Sequence, residues 1–281
     1  MEQKLIFLDI DGTLLPPGEM LVPQSAVEAM RKARANGHKL FLCTGRNLRM
    51  TQPLLEYGFD GAVCSAGGYV FCDGKVLVDL PMAPELASGV REALERHGVE
   101  CTLESRDATY GGMEMMKRWS FTHAAAAGSL NSEAARWRKA MEDGMSLTPL
   151  SEYKGELLYK IVFIAEHEQD LDEAKRLYGD RFVFCESKLD ELAGGFVNGE
   201  LINRQFDKGR GIQAICSYLD KPLSDTIGFG DSDNDLQMTD VAGISVCMAN
   251  GSDSLKQRCD RIAPSVYDDG IAKEFAALGL I

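Results

Sequence analysis

The chain has 281 residues, 45% hydrophobic and 26% charged, and its 30 basic against 43 acidic residues give a net charge of −13. That composition describes an ordinary globular protein of one large or two medium domains with a sizeable core. The acidic balance argues against nucleic acid or an anionic membrane as partner, and no apolar run approaches the roughly 20 residues that span a bilayer.

Met1-Glu2-Gln3-Lys4 runs straight into an apolar stretch without a signal-peptide pattern, so a cytoplasmic protein is expected. The eight cysteines include no closely spaced pair and read as buried, reduced thiols. His38, His97, His123 and His167 share no metal-ligand spacing and are expected at surface or satisfied polar positions.

Leu5-Ile6-Phe7-Leu8 suits a strand buried on both faces, and it ends at Asp9-Ile10-Asp11-Gly12-Thr13. Residues two apart in an extended chain point to one side, so Asp9 and Asp11 lean into one space while Gly12 lets the backbone turn away. A solvated Asp-Gly turn would explain one carboxylate; two so close repel unless a cation, a proton or a reaction needs them. A helix over Pro23–Asn36 follows, then a strand His38–Cys43 ending at Thr44-Gly45-Arg46, a helix Leu48–Tyr57 and a strand Gly61–Ser65 ending in Ala66-Gly67-Gly68. Strand alternating with helix is the pattern of a parallel sheet covered on both faces. Asp73-Gly74 between Tyr69–Cys72 and Lys75–Val78 marks a hairpin.

The pattern changes at Pro81-Met82-Ala83-Pro84. Helices are expected over 85–97, 131–143 and 170–178, with strands at 99–103, 108–111, 157–164, 181–186 and 196–202, an α+β unit with a largely antiparallel sheet. Beta-alpha alternation resumes at Asp207, with helices at 209–219, 233–241, 252–259 and 269–278 and strands at 226–230 and 244–248. The expected organisation is one α/β domain, 1–82 with 204–281, and an inserted domain, 83–203, acting as a lid that contacts the substrate.

Ligands of open parallel sheets bind outside the carboxyl ends of the strands. Those ends carry Asp9 and Asp11, the Thr44 hydroxyl before a helix start, and Gly230-Asp231-Ser232-Asp233-Asn234-Asp235; Lys208 opens another helix, where a cation is disfavoured without a function. Together they describe metal-assisted phosphoryl transfer. Asp9, Asp231 and a backbone carbonyl near Asp11 are candidates to hold Mg²⁺. Asp9 would attack phosphorus and Asp11 would shuttle the proton, with Thr44, Lys208 and Asn234 on the phosphoryl oxygens.

In these four motifs, Asp9-Ile10-Asp11-Gly12-Thr13, Thr44-Gly45-Arg46, Lys208 and Gly230-Asp231 through Asp235, the sequence resembles the haloacid dehalogenase superfamily of phosphatases, close to its Cof-type branch. The resemblance covers the whole chain. It implies a Rossmann-like doubly wound core with an inserted α+β cap of the large C2B type. It further implies Asp9 as nucleophile, Asp11 as general acid/base, and Mg²⁺ on Asp9, Asp11 (through its carbonyl) and Asp231 with Asp235 behind. Phosphate contacts would come from Ile10, Thr44, Gly45, Lys208 and Asn234. One departure is Ala66-Gly67-Gly68 where related sequences often have Asn-Gly.

The expected activity is hydrolysis of a small, sugar-phosphate-like metabolite by a monomer or weak homodimer. A phosphomutase uses the same motifs and remains open. A phospho-accepting signalling module needs neither an acid at Asp11 nor a domain-sized insertion, and ranks below both. Glu104, Arg106 and Lys117 are either cleft or surface residues, and Met113, Met115 and Met116 either core or a contact surface.

Overall fold

β1 (Leu5–Leu8) lies at the centre of an eight-stranded sheet, and all four of its residues are buried. A computed structural model describes residues 2–111, 147–188 and 196–281. The expected helix at 131–143, the three methionines at 113, 115 and 116, and Lys117 lie outside the described residues. The sheet order is β14 (Arg261–Ala263), β13 (Ile244–Met248), β12 (Thr226–Gly230), β1, β2 (Lys39–Cys43), β3 (Gly61–Cys64), β4 (Tyr69–Cys72) and β5 (Lys75–Asp79). Pairing is parallel from β14 through β3 and antiparallel between β3, β4 and β5.

The helices among the described residues are α1 (Gln24–Ala35), α2 (Leu48–Leu55), α3 (Pro84–Glu95), α4 (Asp172–Tyr178), α5 (Lys208–Tyr218), α6 (Leu236–Val241), α7 (Asp253–Lys256) and α8 (Gly270–Ala277). β1 pairs with β2 on one side and β12 on the other, so the strand order reverses at β1. That reversal opens a crevice at the carboxyl ends, where Asp9 and Asp231 emerge. Phe7 and Phe41 stack at 4.9 Å, and Ile212 and Ile215 of α5 pack with them against Leu5, Val63 and Met238. The strand ends therefore stand on a dry, close-packed base.

The chain forms two compact units, Met1–Asp79 with Asp207–Ile281, and Leu80–Phe206. The second is built on a mixed sheet in the order β10 (Phe182–Lys188), β11 (Val197–Asn203), β9 (Leu158–Ala165), β6 (Glu100–Ser105), β7 (Thr109–Gly111) and β8 (Thr148–Pro149). Its pairs are antiparallel except β7 with β8. The doubly wound core with an inserted α+β unit is thus the architecture observed. Val90 and Leu94 of α3 pack on Ile161, Phe163 and Leu201. By strand alternation Lys160 points to the opposite face, where its Nζ lies 2.8 Å from Glu200 and 3.4 Å from Glu104.

Three local expectations change. The segment from Asp233 begins as a 3₁₀ turn, Asp233–Asp235, before α6, because Ser232 and Asp235 form a reciprocal capping box. β14 adds a strand that the sequence did not suggest; it is three residues long with two exposed. His38 is buried, its Nδ1 accepting the Lys4 amide at 3.0 Å while Nε2 has no partner. No described helix is long and apolar enough to cross a membrane.

Candidate active site

The first strand delivers its carboxylates through a tightly specified turn. The Asp9 amide donates to the Phe229 carbonyl at 3.0 Å, continuing the β1–β12 pairing to the strand's last position. The Ile10 carbonyl accepts the Leu14 and Leu15 amides at 3.0 and 2.8 Å, so the chain folds back at once with the Ile10 side chain fully buried. Gly12 takes φ +83°, and a Cβ there would lie 2.6 Å from Asp231 Cγ. Only glycine lets the first and fourth motifs approach this closely.

Lys208, the first residue of α5, turns its side chain into the core of the cluster. Its Nζ donates to Asp9 Oδ1 at 2.8 Å, Asp235 Oδ1 at 2.5 Å and Asn234 Oδ1 at 3.1 Å. Its neighbour Asp207 caps the helix by accepting the Arg210 amide. Asp235 is fully buried, and its other oxygen accepts the amides of Asp231 and Ser232 at 3.0 and 3.1 Å. Asp235 therefore orients both the lysine and the loop that carries Asp231.

Oxygens of Asp9, Asp231 and Asp235 lie within 4.8 Å of one another, all three residues buried. Hard oxygen donors at that spacing suit a divalent cation, and Gly12 leaves room for the Asp231 carboxylate beside the first strand. Burial pushes the Asp9 carboxyl up to about 7, with Asp235 and Asp11 adding to the rise and Lys208 opposing it. A cation held beside Asp9 would favour its ionised form. Burial alone would lower the Lys208 ammonium, but Asp235 and Asp9 outweigh it and hold the group well above its ordinary value.

Thr44 directly follows β2 with its amide bonded to the Val63 carbonyl, and its Oγ1 accepts the Arg46 amide at 3.1 Å. Gly45 is half-buried between these two buried residues. Asn234 is exposed, its Oδ1 taking Lys208 Nζ and the Ser232 hydroxyl. Asp9, Asp231, Asp235, Lys208 and Asn234 are thus joined by direct bonds or close approach.

Two residues with no assigned role from sequence join the site. Arg46 forms a bidentate pair with Asp11, Nε to Oδ2 at 3.0 Å and Nη2 to Oδ1 at 2.7 Å, both residues buried. Its position beside Thr44 was visible; its partner was not. Asn250 donates to the Gly12 carbonyl at 2.8 Å while its Oδ1 accepts the Val266 amide, tying the first turn to the far edge of the sheet. Asn250 belongs to none of the four motifs, so no sequence signal marked it.

The sequence profile of the haloacid dehalogenase-like hydrolases matches residues 6–275. The chain belongs to this family. Its Cof-type branch and its enzyme class, an HAD-type phosphatase, are those read from the motifs. Similar proteins include YkrA of Bacillus subtilis (strain 168), 26% identical over 282 residues and covering 100% of each chain. Another is the 5-amino-6-(5-phospho-D-ribitylamino)uracil phosphatase YitU of the same organism, 25% identical with 97% of each chain covered. Among solved structures, a hypothetical protein from Geobacillus kaustophilus HTA426 aligns at TM-score 0.79 and 22% identity over 100% of each chain. The HAD subclass IIB sugar phosphatase BT4131 aligns at 0.75 and 22% over 99% of this chain and 100% of its own. These structures share the fold.

Proposed function

We propose that this hydrolase removes the phosphoryl group from a small phosphorylated metabolite, carrying it transiently on Asp9. The observation behind this reading is the Lys208 ammonium shared between Asp9 and Asp235, with Asp231 alongside and Asp11 on the same turn. Asp9 attacks phosphorus as the ester P–O bond breaks, and Asp11 gives its proton to the departing oxygen. Asp11 then takes a proton from the water that attacks phosphorus and breaks the Asp9 O–P bond. The products are an alcohol and inorganic phosphate. Lys208, the Thr44 hydroxyl, Asn234, and the backbone at Ile10 and Gly45 bind the phosphoryl oxygens. Asp9, Asp231 and the Asp11 carbonyl would hold Mg²⁺, with Asp235 orienting the loop of Asp231. Bound Mg²⁺ would supply charge neutralisation, so that an anionic nucleophile meets an anionic ester.

The inserted residues 83–203 select the non-phosphate part of the substrate in this reading. Curated relatives are named for phosphoglycolate, pyridoxal phosphate and a phosphoribitylamino-uracil, all small phosphate monoesters, which supports the substrate class and leaves its member open. The test is phosphate release from sugar phosphates, nucleotides and 4-nitrophenyl phosphate, with and without Mg²⁺, beside Asp9→Asn. Mg²⁺-dependent release lost in the variant is expected. No release from any ester by a folded, Mg²⁺-binding protein would point to a mutase.

A further inference from the structure

We infer that Arg46 is a positioning residue for proton transfer, holding the Asp11 carboxylate against the end of the second strand. The inference rests on the phosphatase reading, in which Asp11 is the acid and base.

An aspartate side chain has two free torsions, and Asp11 sits in a turn followed by a glycine at φ +83°. The fork from Arg46 fixes where the Asp11 carboxylate points. The two arginine donors, Nε and Nη2, meet the two carboxylate oxygens in a fork, a geometry that fixes the plane of the carboxylate as well as its distance. The backbone of Arg46 is itself anchored. The Arg46 amide donates to Thr44 Oγ1 at 3.1 Å, and its carbonyl accepts the Ser65 amide at 2.8 Å. Both the arginine and Asp11 are buried, so the pair is little screened by solvent. Asp11 is thereby referenced to Thr44, whose hydroxyl is proposed to contact the phosphoryl group. One residue therefore ties the proton-transfer group to the phosphate-binding strand end.

The fork also suits both halves of the reaction. With both oxygens accepting from Arg46, Asp11 is the carboxylate that takes a proton from the hydrolytic water. When it donates, one oxygen carries the proton toward the ester oxygen while the other still accepts from the guanidinium. The proton passes from Asp11 to the leaving oxygen in the first half and from water to Asp11 in the second. Arg46 neither gains nor loses one.

Proton donation matters most for poor leaving groups, which gives a readout that general damage to the fold would not move. Arg46→Ala, Arg46→Lys, Asp11→Asn and the double variant Arg46→Ala/Asp11→Asn are compared on phenyl, 4-nitrophenyl and 2,4-dinitrophenyl phosphate. Arg46→Ala is expected to slow kcat on the phenyl ester by about 10²-fold or more, the low end of general acid–base contributions. The 2,4-dinitrophenyl ester should lose less than about tenfold, and KM should change little. Arg46→Lys, which keeps the charge but not the fork, should fall between. In the Asp11→Asn background the further loss from Arg46→Ala should nearly vanish.

Equal losses on all three esters, or full additivity in the double variant, would overturn the role of Arg46 and leave the phosphatase reading intact. If Arg46→Ala does not fold, the lysine variant decides by the same leaving-group dependence. A wild type that hydrolyses none of the esters would overturn the phosphatase reading and this inference with it.

Discussion

Gly12 and Asp231 approach so closely that a Cβ on Gly12 would lie 2.6 Å from the Asp231 carboxyl carbon. The two residues follow strands far apart in sequence but adjacent in the sheet, β1 and β12. Their contact is what makes one site of two motifs.

Gly12→Ala should therefore cost more than a surface substitution. The left-handed backbone alone costs an L-residue roughly 1–2 kcal/mol, and Asp231 must also move. Urea unfolding should show a loss of about 2 kcal/mol or more. Calorimetric titration with Mg²⁺ should show affinity falling at least about tenfold, as for other changes that misorient a ligand.

Ala66 gives a prediction of opposite sign. Ser65, Ala66 and Gly67 all take positive φ after β3, at 49°, 54° and 104°. Alanine has no side-chain compensation for that conformation, whereas asparagine enters it readily. Ala66→Asn is expected to raise stability by about 0.5–1 kcal/mol in urea. A destabilised variant would mean that the methyl group packs better than the backbone suffers.

His38 predicts a pH dependence. Burial lowers its pKa below 6.5, aided by the positive charges of the N-terminal amine and Lys4. Below pH 6.5 the unfolded chain then binds more protons than the folded one. The contribution of His38 is complete above that pH and is lost as pH falls through the folded value. Protonation also removes the Nδ1 lone pair that accepts the Lys4 amide. His38→Asn, which cannot titrate, should lose less stability than the wild type between pH 7 and 5. Parallel curves would contradict this.

Lys160 tests the inserted unit. Its side chain is 2% exposed and lies between Glu200 and the fully buried Glu104. Lys160→Met would leave carboxylates in a dry setting without the cation, a change that costs on the order of 3–5 kcal/mol. Thermal unfolding followed by circular dichroism would show it.

The strand-end motifs were readable because each sits where an apolar run stops and a glycine or hydroxyl begins. Asp9, Asp231 and Asp235 converge because parallel strands bring their carboxyl ends to one edge, a consequence of topology that alternation of strand and helix already implies, and Lys208 reaches them from the first turn of α5. What sequence could not supply was pairing between side chains. Arg46 stood in plain view, yet its fork with Asp11 depends on the register of β1 against β2. Asn250 bonds the backbone of Gly12 from the turn after β13, two strands away, and no local pattern announces such a contact. β14 escaped notice because Arg261 and Ile262 are exposed on an edge and show no alternation. The left-handed turn at Ala66 was invisible because alanine gives no hint of positive φ.

The central claim is that Asp9 carries the phosphoryl group. Rapid acid quench of the enzyme with Mg²⁺ and its best substrate, followed by peptide mass spectrometry, tests it directly. The expected result is one phosphoryl increment on the peptide containing Asp9, formed before the first phosphate is released and absent in Asp9→Asn. Phosphate release by Asp9→Asn at the wild-type rate, or an increment on a peptide without Asp9, would contradict it.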